Sequence, residues 1–379
     1  MKIDAVRVIA LEAPSDTPVR TSFGTMLRRR AILVRIETDG GVHGWGESWV
    51  NFPAWSYRER CDTIAQGLVP LLLGRDPREV AFLHGEMVHA THVLARQWGA
   101  PGPISQAISA LDVALWDIVG KVVGQPLYRL WGGVARPVRV YASGLGPDDP
   151  VGPAIALSQQ GVRTFKLKVG FGRERDEANL ALLRGALGED AELLVDANQA
   201  WDLETAEGML ESLACHRVRW LEEPLPADDV AGMARLRPLL RARGGMRLAA
   251  GENVYGMGRF AELISCGAVD VVQPDVTKMG GFTEALRVCG LASAFGVPFA
   301  PHFLGSAVGL MASLHLVAAA PGGAMLELDA NPNALRDELG GAAVRVEEGH
   351  LRLPTGPGLG WEPPAGVLER YAIAERVVR

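Results

Sequence analysis

The segments TFKLKVG (residues 164–170), ELLVDAN (192–198) and VRWLEEP (218–224) decide how this chain is read. Each is a short apolar run that ends in ionisable residues, and the stretch between one and the next is long enough for a helix and two short loops. Working outward, five more segments have the same form: VRVYASG (138–144), RLAAGEN (247–253), VDVVQPD (269–275), VPFAPHF (297–303) and AMLELD (324–329). Taking Ser143, Lys168, Asp196, Glu222, Glu252, Asp275, His302 and Glu327 as strand ends, the intervals are 25, 28, 26, 30, 23, 27 and 25 residues. Eight strand–helix units at that spacing predict an α/β fold, a (β/α)7-8 TIM-type barrel.

Before the barrel, AILVRIET (31–38) and GVHGWGE (41–47) read as strands around an Asp39-Gly40-Gly41 turn. From about Tyr57 to Val123 the pattern turns helical, and AISALDVALWDIVGK (107–121) places Leu111, Ala114, Leu115 and Ile118 on one face. The expectation is an N-terminal α+β capping domain over residues 1–125, a barrel over 126–345, and a C-terminal segment, 346–379, that returns to complete the capping domain. The glycine run 356–360 has no helix pattern after it and is not read as a phosphate loop.

The bulk properties exclude several function classes. The 379 residues are 48% hydrophobic and 22% charged, a globular balance. A net charge of −6 gives no footprint for nucleic acid or an anionic membrane, and the short basic run Arg28–Arg30 reads as a solvated strand edge. Cys61, Cys215, Cys266 and Cys289 form no C-x-x-C pair, which points to a reducing cytoplasm. Lys2, Asp4, Arg7 and Glu12 interrupt any signal-peptide core. Residues 288–326 carry no Asp, Glu, Lys or Arg, but Pro298, Pro301 and Pro321 divide them into pieces suited to a buried strand and helix, so no membrane span is expected.

In a barrel of this kind, side chains at the C-terminal ends of the strands share one mouth. Asp196, Glu222 and Glu252 would converge there and repel one another unless a cation lay between them, and three hard oxygen donors select Mg2+. Lys166 and Lys168, two apart on a strand, face the interior together, and their mutual repulsion predicts a lowered pKa for Lys168. Asp275 and His302 end neighbouring strands, so the carboxylate can orient the imidazole. His84, His89 and His92 fall on one helical stretch, but without the H-E-x-x-H spacing of a metal site.

The ordered set FKLKVG, VDANQAW, LEEP, GEN, QPDVTKMGG and PHFLG resembles the enolase superfamily, and within it the mandelate racemase and muconate lactonizing enzyme family, mandelate racemase subgroup. The resemblance runs over essentially the whole chain. It implies Asp196, Glu222 and Glu252 as Mg2+ ligands, Lys168 as one acid/base assisted by Lys166, and the Asp275–His302 pair as the other. It also implies Asn198 and Glu327 as substrate contacts, Glu327 as a hydrogen-bond donor, and cover loops around residues 20–26 and 49–55 that carry Phe23, Trp49 and Phe52.

The implied chemistry is abstraction of the proton next to a small-molecule carboxylate, with dehydration of an acid sugar favoured. The apolar cover keeps racemisation or epimerisation of a 2-hydroxy acid or proline-like carboxylate as the alternative. A homo-oligomer is implied too. A silent metabolite-binding barrel would have lost an essential group, and none is missing. A metal-dependent hydrolase would want histidine ligands, and only His302 ends a strand, away from the carboxylates.

Overall fold

A computed structural model describes residues 1–322 and 324–379. Strands β1 (Ile3–Thr21), β2 (Gly24–Thr38) and β3 (His43–Ser48) form an antiparallel sheet. Alternation sorts their side chains into two layers. Val6, Val8, Ala10, Ile32, Val34 and Ile36 pack against the helices Val80–Trp98 and Pro101–Val123, where Leu111, Ala114, Leu115 and Ile118 meet them as expected. Ile9, Leu11, Ala13, Ala31 and Leu33 point the other way, into the core shared with the barrel. The capping sheet is therefore buried on both faces.

Glycine makes the closest of these contacts possible. A Cβ on Gly44 or Gly46 of β3 would lie 2.1 Å from the Ala114 carbonyl oxygen or 1.9 Å from that of Ala110. The G-W-G spacing thus lets β3 lie with its backbone against the helix Pro101–Val123, which fixes where the next residue, Glu47, enters the interior.

The second sheet is parallel and curls into the barrel: β4 (Val138–Leu145), β5 (Thr164–Lys168), β6 (Glu192–Asp196), β7 (Val218–Glu222), β8 (Arg247–Ala250), β9 (Val271–Val272) and β10 (Leu326–Asp329), with β10 pairing back onto β4. The two expected strands around Asp275 and His302 are much shorter than their sequences suggested. β9 is two residues long, and the next position is a single bridge between Val272 and Phe299. Pro274, Pro298 and Pro301 have no N–H to donate, so the ladder stops where they occur.

The uncharged stretch contains the helix Ala307–Ala319, nearly all of it buried, and no helix among the described residues is long and apolar enough to cross a membrane. β11 (His350–Leu351) pairs with β4, and β12 (Ala372–Val378) runs antiparallel to β1 at the edge of the capping sheet. The run Arg28–Arg30 is solvated only in part: Arg28 is exposed, but Arg29 is buried, 2.7 Å from the equally buried Asp329 of β10.

Candidate active site

Strand register builds the site. Lys168 pairs with Asp196 and Asp196 with Glu222 across β5, β6 and β7, so three neighbouring strands present their last residues side by side. Glu252 joins them from just beyond β8, and one oxygen from each of Asp196, Glu222 and Glu252 lies within 4.8 Å of the others, all buried. Cations surround the three carboxylates. Lys168 Nζ donates to Asp196 Oδ2, Lys166 Nζ donates to both Glu222 oxygens at 2.7 Å, and His302 Nε2 lies 2.8 Å from Glu252 Oε2.

Two amide oxygens beside this group have no hydrogen-bond donor among the described residues: Asn198 Oδ1 and Gln273 Oε1. Buried acceptors of this kind are uncommon without an unseen partner. Three converging carboxylates with spare oxygens beside them fit a hard divalent cation that keeps positions open for water and substrate oxygen.

The charge balance differs from the sequence expectation at Lys168. Burial pulls its pKa down and so does Lys166, but Asp196, Glu252 and Glu222 together outweigh them, and in the bare cluster the pKa is raised. Lys166 is raised further: against its burial stand Glu222 and Glu327. A dication held by the triad would push the other way, since its charge is the largest local term in such a site. Burial carries Glu222 up to about 8 despite Lys166, whereas burial of Glu252 is overcome by His302 and Lys278, which hold it well below the usual carboxylate range.

Asp275 and His302 meet as expected, with His302 Nδ1 2.7 Å from Asp275 Oδ2. Thr277 N and Oγ1 each donate to Asp275 Oδ1 at 2.7 Å and fix the carboxylate. Burial alone would lower the imidazole pKa, but Glu252, Glu327 and Asp275 together raise it to about 10. His302 is thus beside a triad carboxylate, contrary to the expectation that kept it apart. Its segment and the strand of Lys168 are separated by β10 and β4 on one side and by the carboxylate strands on the other, so the imidazole and the lysine approach the carboxylate cluster from different sides.

Glu327 Oε1 lies 2.7 Å from Lys166 Nζ and Oε2 accepts from Tyr141 OH at 3.0 Å; although burial opposes it, Lys166, His302 and Lys168 together hold the carboxyl down at about 2. Asn198 sits in the left-handed region at φ 44°, with its N–H on Asp196 Oδ1 at 2.8 Å and its Nδ2 on Oδ2 at 3.0 Å. Of the cover residues, Phe23 and Phe52 stack edge-on at 5.1 Å. The expected loop at 20–26 is a tight hairpin turn, latched by Ser22 Oγ donating to the Ala197 and Asn198 carbonyls at 3.1 Å.

Sequence reading missed Lys278. It is buried under the Trp49 ring, 4.7 Å from its centroid, donates to Asn253 Oδ1 at 2.8 Å and lies 3.5 Å from Glu252 Oε1. It also missed Gln273, whose Nε2 donates to Glu222 Oε2 at 2.7 Å, and Glu223, which takes Asn253 Nδ2 and which burial carries up to about 8. The signal available was position alone: all three lie within one or three residues of a strand-end carboxylate or in its loop. The rival histidines do not assemble; His84 is buried, with burial lowering it to about 4, while exposed His92 contacts Arg96.

The fold and this site have counterparts among known proteins. Residues 3–132 match the model of the mandelate racemase / muconate lactonizing enzyme N-terminal domain, and residues 154–366 match the enolase C-terminal domain-like model. The chain is 34% identical to D-galactarolactone cycloisomerase of Agrobacterium fabrum, over 99% of this chain and 100% of that protein. It is 33% identical to arabinonate dehydratase of Saccharolobus solfataricus, over 90% of each. It superposes with a TM-score of 0.87, at 28% identity, on L-talarate/galactarate dehydratase of Salmonella typhimurium LT2 liganded with Mg and L-lyxarohydroxamate, covering 100% of this chain and 94% of that one. With both halves matched in order and the carboxylate triad in place, this chain belongs to the mandelate racemase and muconate lactonizing enzyme family of the enolase superfamily.

Proposed function

We propose that the chain is a Mg2+-dependent dehydratase of acid sugars, and that Lys168 and His302 are its base and acid. The observation that carries this reading is the placement of a lysine and an Asp-oriented histidine on two sides of one carboxylate triad. Asp196, Glu222 and Glu252 would hold the metal. When bound it supplies Lewis-acid stabilisation of the negative charge that develops on the substrate carboxylate, without which an α-proton is too weakly acidic for a side-chain base.

Lys168 then takes the α-proton while the electron pair moves toward the carboxylate. On the other side His302 gives a proton to the β-hydroxyl, the C–O bond breaks and water leaves; the resulting enol becomes a 2-keto-3-deoxy acid on reprotonation. Asp275 holds the imidazole ring for that transfer. Lys166 and Glu327, paired at 2.7 Å, would line the carboxylate side, with Asn198 offering its free Oδ1 to a substrate hydroxyl and Phe23, Trp49 and Phe52 excluding water above.

The two bases also support a second reading, in which His302 returns the proton to the opposite face of the α-carbon and the product is an epimer. Proton NMR in D2O separates the two. Loss of the β-carbinol signal of an acid sugar marks dehydration; exchange with a new diastereomer marks epimerisation; no exchange of any α-proton by Mg2+-bound protein sinks both.

The same reading divides the chain into a capping domain (1–125), the barrel that carries the site (126–345) and a returning tail (346–379), supported by the pairing of β12 with β1. Four free thiols suit a reducing cytoplasm. Exposed Leu94 and Trp98 on the helix Val80–Trp98 suit a homo-oligomer, which light scattering would measure.

A further inference from the structure

The proposed chemistry leaves Glu47 without a role, although it is one of the most deeply buried carboxylates in the molecule, 1% exposed near the end of β3. No ion pair to it forms among the described residues. Its Oε1 accepts from Ser306 N at 2.8 Å, and its Oε2 accepts from Ser306 Oγ and Gly309 N, both at 2.6 Å. Those donors belong to the first turn of the helix Ala307–Ala319, which starts just past His302.

The fit has no slack. A Cβ on Gly305 would come within 2.5 Å of Glu47 Oε1, and one on Gly309 within 2.9 Å of both Glu47 Oε2 and Thr277 Cγ2. Thr277 is the residue that holds Asp275. Two positions beyond Glu47, Trp49 N donates to the Thr277 carbonyl at 3.2 Å, and Asn51 Nδ2 donates to the Leu304 carbonyl at 3.0 Å. One short run of capping chain, residues 47–51, therefore grips both the segment after Asp275 and the segment after His302.

The barrel itself fixes this spacing weakly. β9 ends at Val272, and the segment before His302 meets it at the single Val272–Phe299 bridge, through Val272 N to the Pro298 carbonyl at 2.9 Å and Ala300 N to the Val272 carbonyl at 3.0 Å; among the described residues no ladder hydrogen bond continues beyond Ala300 to the level of the Asp275–His302 contact. A hydrogen bond at 2.7 Å tolerates little drift between the groups that make it. We infer that Glu47 is a positioning residue: by seating the first turn of the helix after His302 against the capping strand, it sets the distance and angle at which the imidazole meets Asp275. Its consequence for turnover rests on the reading of His302 as an acid, but the geometry does not.

The test uses the full chain loaded with Mg2+ and labelled with 15N-histidine. The His302 Nδ1 proton, identified by its disappearance in His302→Asn, is expected to exchange slowly with water. Glu47→Gln keeps the volume but sets an amide N–H against a backbone donor, and is expected to speed that exchange about tenfold or more. Ser306→Ala removes one of the three bonds, is expected to act in the same direction more weakly, and decides the matter if Glu47→Gln does not fold. Asp202→Ala removes a distant helix cap, the Thr205 N to Asp202 Oδ1 bond at 2.8 Å, and is expected to lower stability while leaving the proton unchanged.

The inference is overturned if Glu47→Gln and Ser306→Ala exchange like the parent chain, or if Asp202→Ala moves the proton as much as they do. A His302→Asn chain that still dehydrates its substrate at the parent rate removes the acid role instead, and the imidazole measurement on Glu47 stands independently of it.

Discussion

At the barrel mouth, Asp196, Glu222 and Glu252 sit against Lys168, Lys166 and His302; along the seam with the capping domain, Glu47 and Asp112 are buried as deeply against backbone N–H groups and hydroxyls. Asp112 takes Thr283 N at 2.9 Å and Thr283 Oγ1 at 2.6 Å, and burial pushes both it and Glu47 up to about 7. The residue types are the same in both places. What differs is the partner: Glu47 and Asp112 are matched to donors of one fixed helix turn, whereas the mouth carboxylates face three cationic side chains beside the unpartnered amide oxygens of Asn198 and Gln273. Matched donors hold structure together, and spare acceptors beside mobile protons are what chemistry needs.

Removing a mouth cation should give the largest effect. Lys168→Ala is expected to lower α-proton exchange by about 10³-fold, read by proton NMR in D2O, with melting little changed, because general acid–base groups contribute on that scale. A melting loss that accounts for the lost activity would put Lys168 on the structural side of the comparison.

Arg29 tests the seam at a buried carboxylate that does have a cation. Arg29→Met leaves Asp329 unpaired and should cost about 3 kcal/mol in urea unfolding. Next, Glu222→Gln keeps the shape of the triad but removes a charge, and calorimetry should find Mg2+ affinity lowered on the order of 10²-fold. Unchanged Mg2+ binding would mean that the triad is a salt-bridged cluster rather than a metal site.

The smallest expected effect concerns pH. A carboxyl raised from 3.8 to about 7 on folding holds a proton in the folded state that the unfolded chain has already lost, so its contribution is present below about 4 and disappears as pH rises to about 7. Asp112→Asn can donate to Thr283 Oγ1 and accept from Thr283 N, and never ionises. The variant should flatten the decline in stability between pH 4 and 7 by on the order of 2 kcal/mol, measured as unfolding free energy against pH. A decline as steep as in the parent chain would remove Asp112 as its source.

Much of the mouth was legible in the chain, because a parallel barrel delivers the end of every strand to one place and ionisable residues there have few structural reasons to recur in register. Asp196, Glu222, Glu252, Lys166, Lys168, Asp275 and His302 could be placed together that way. The lengths of the strands around Asp275 and His302 were misjudged, since apolar β-branched runs such as VDVV look like strands whether or not the prolines beside them let the ladder form. Arg29 read as solvent-exposed for a similar reason: a basic triplet carries no sign of the aspartate 300 residues away that buries it.

The spacing of strand–helix units and the order of the charged strand ends were determined by sequence alone, since both follow from period and register within one sheet. Which carboxylates meet cations and which meet only neutral donors, that Lys278 lies under Trp49, and that Glu47 meets the first turn of the helix after His302 were decided only by tertiary structure. Each depends on which donor arrives from a distant part of the chain, and burial energetics make that arrival decisive: a carboxylate matched by a helix turn is held as scaffold, and one set among cations keeps its charge available.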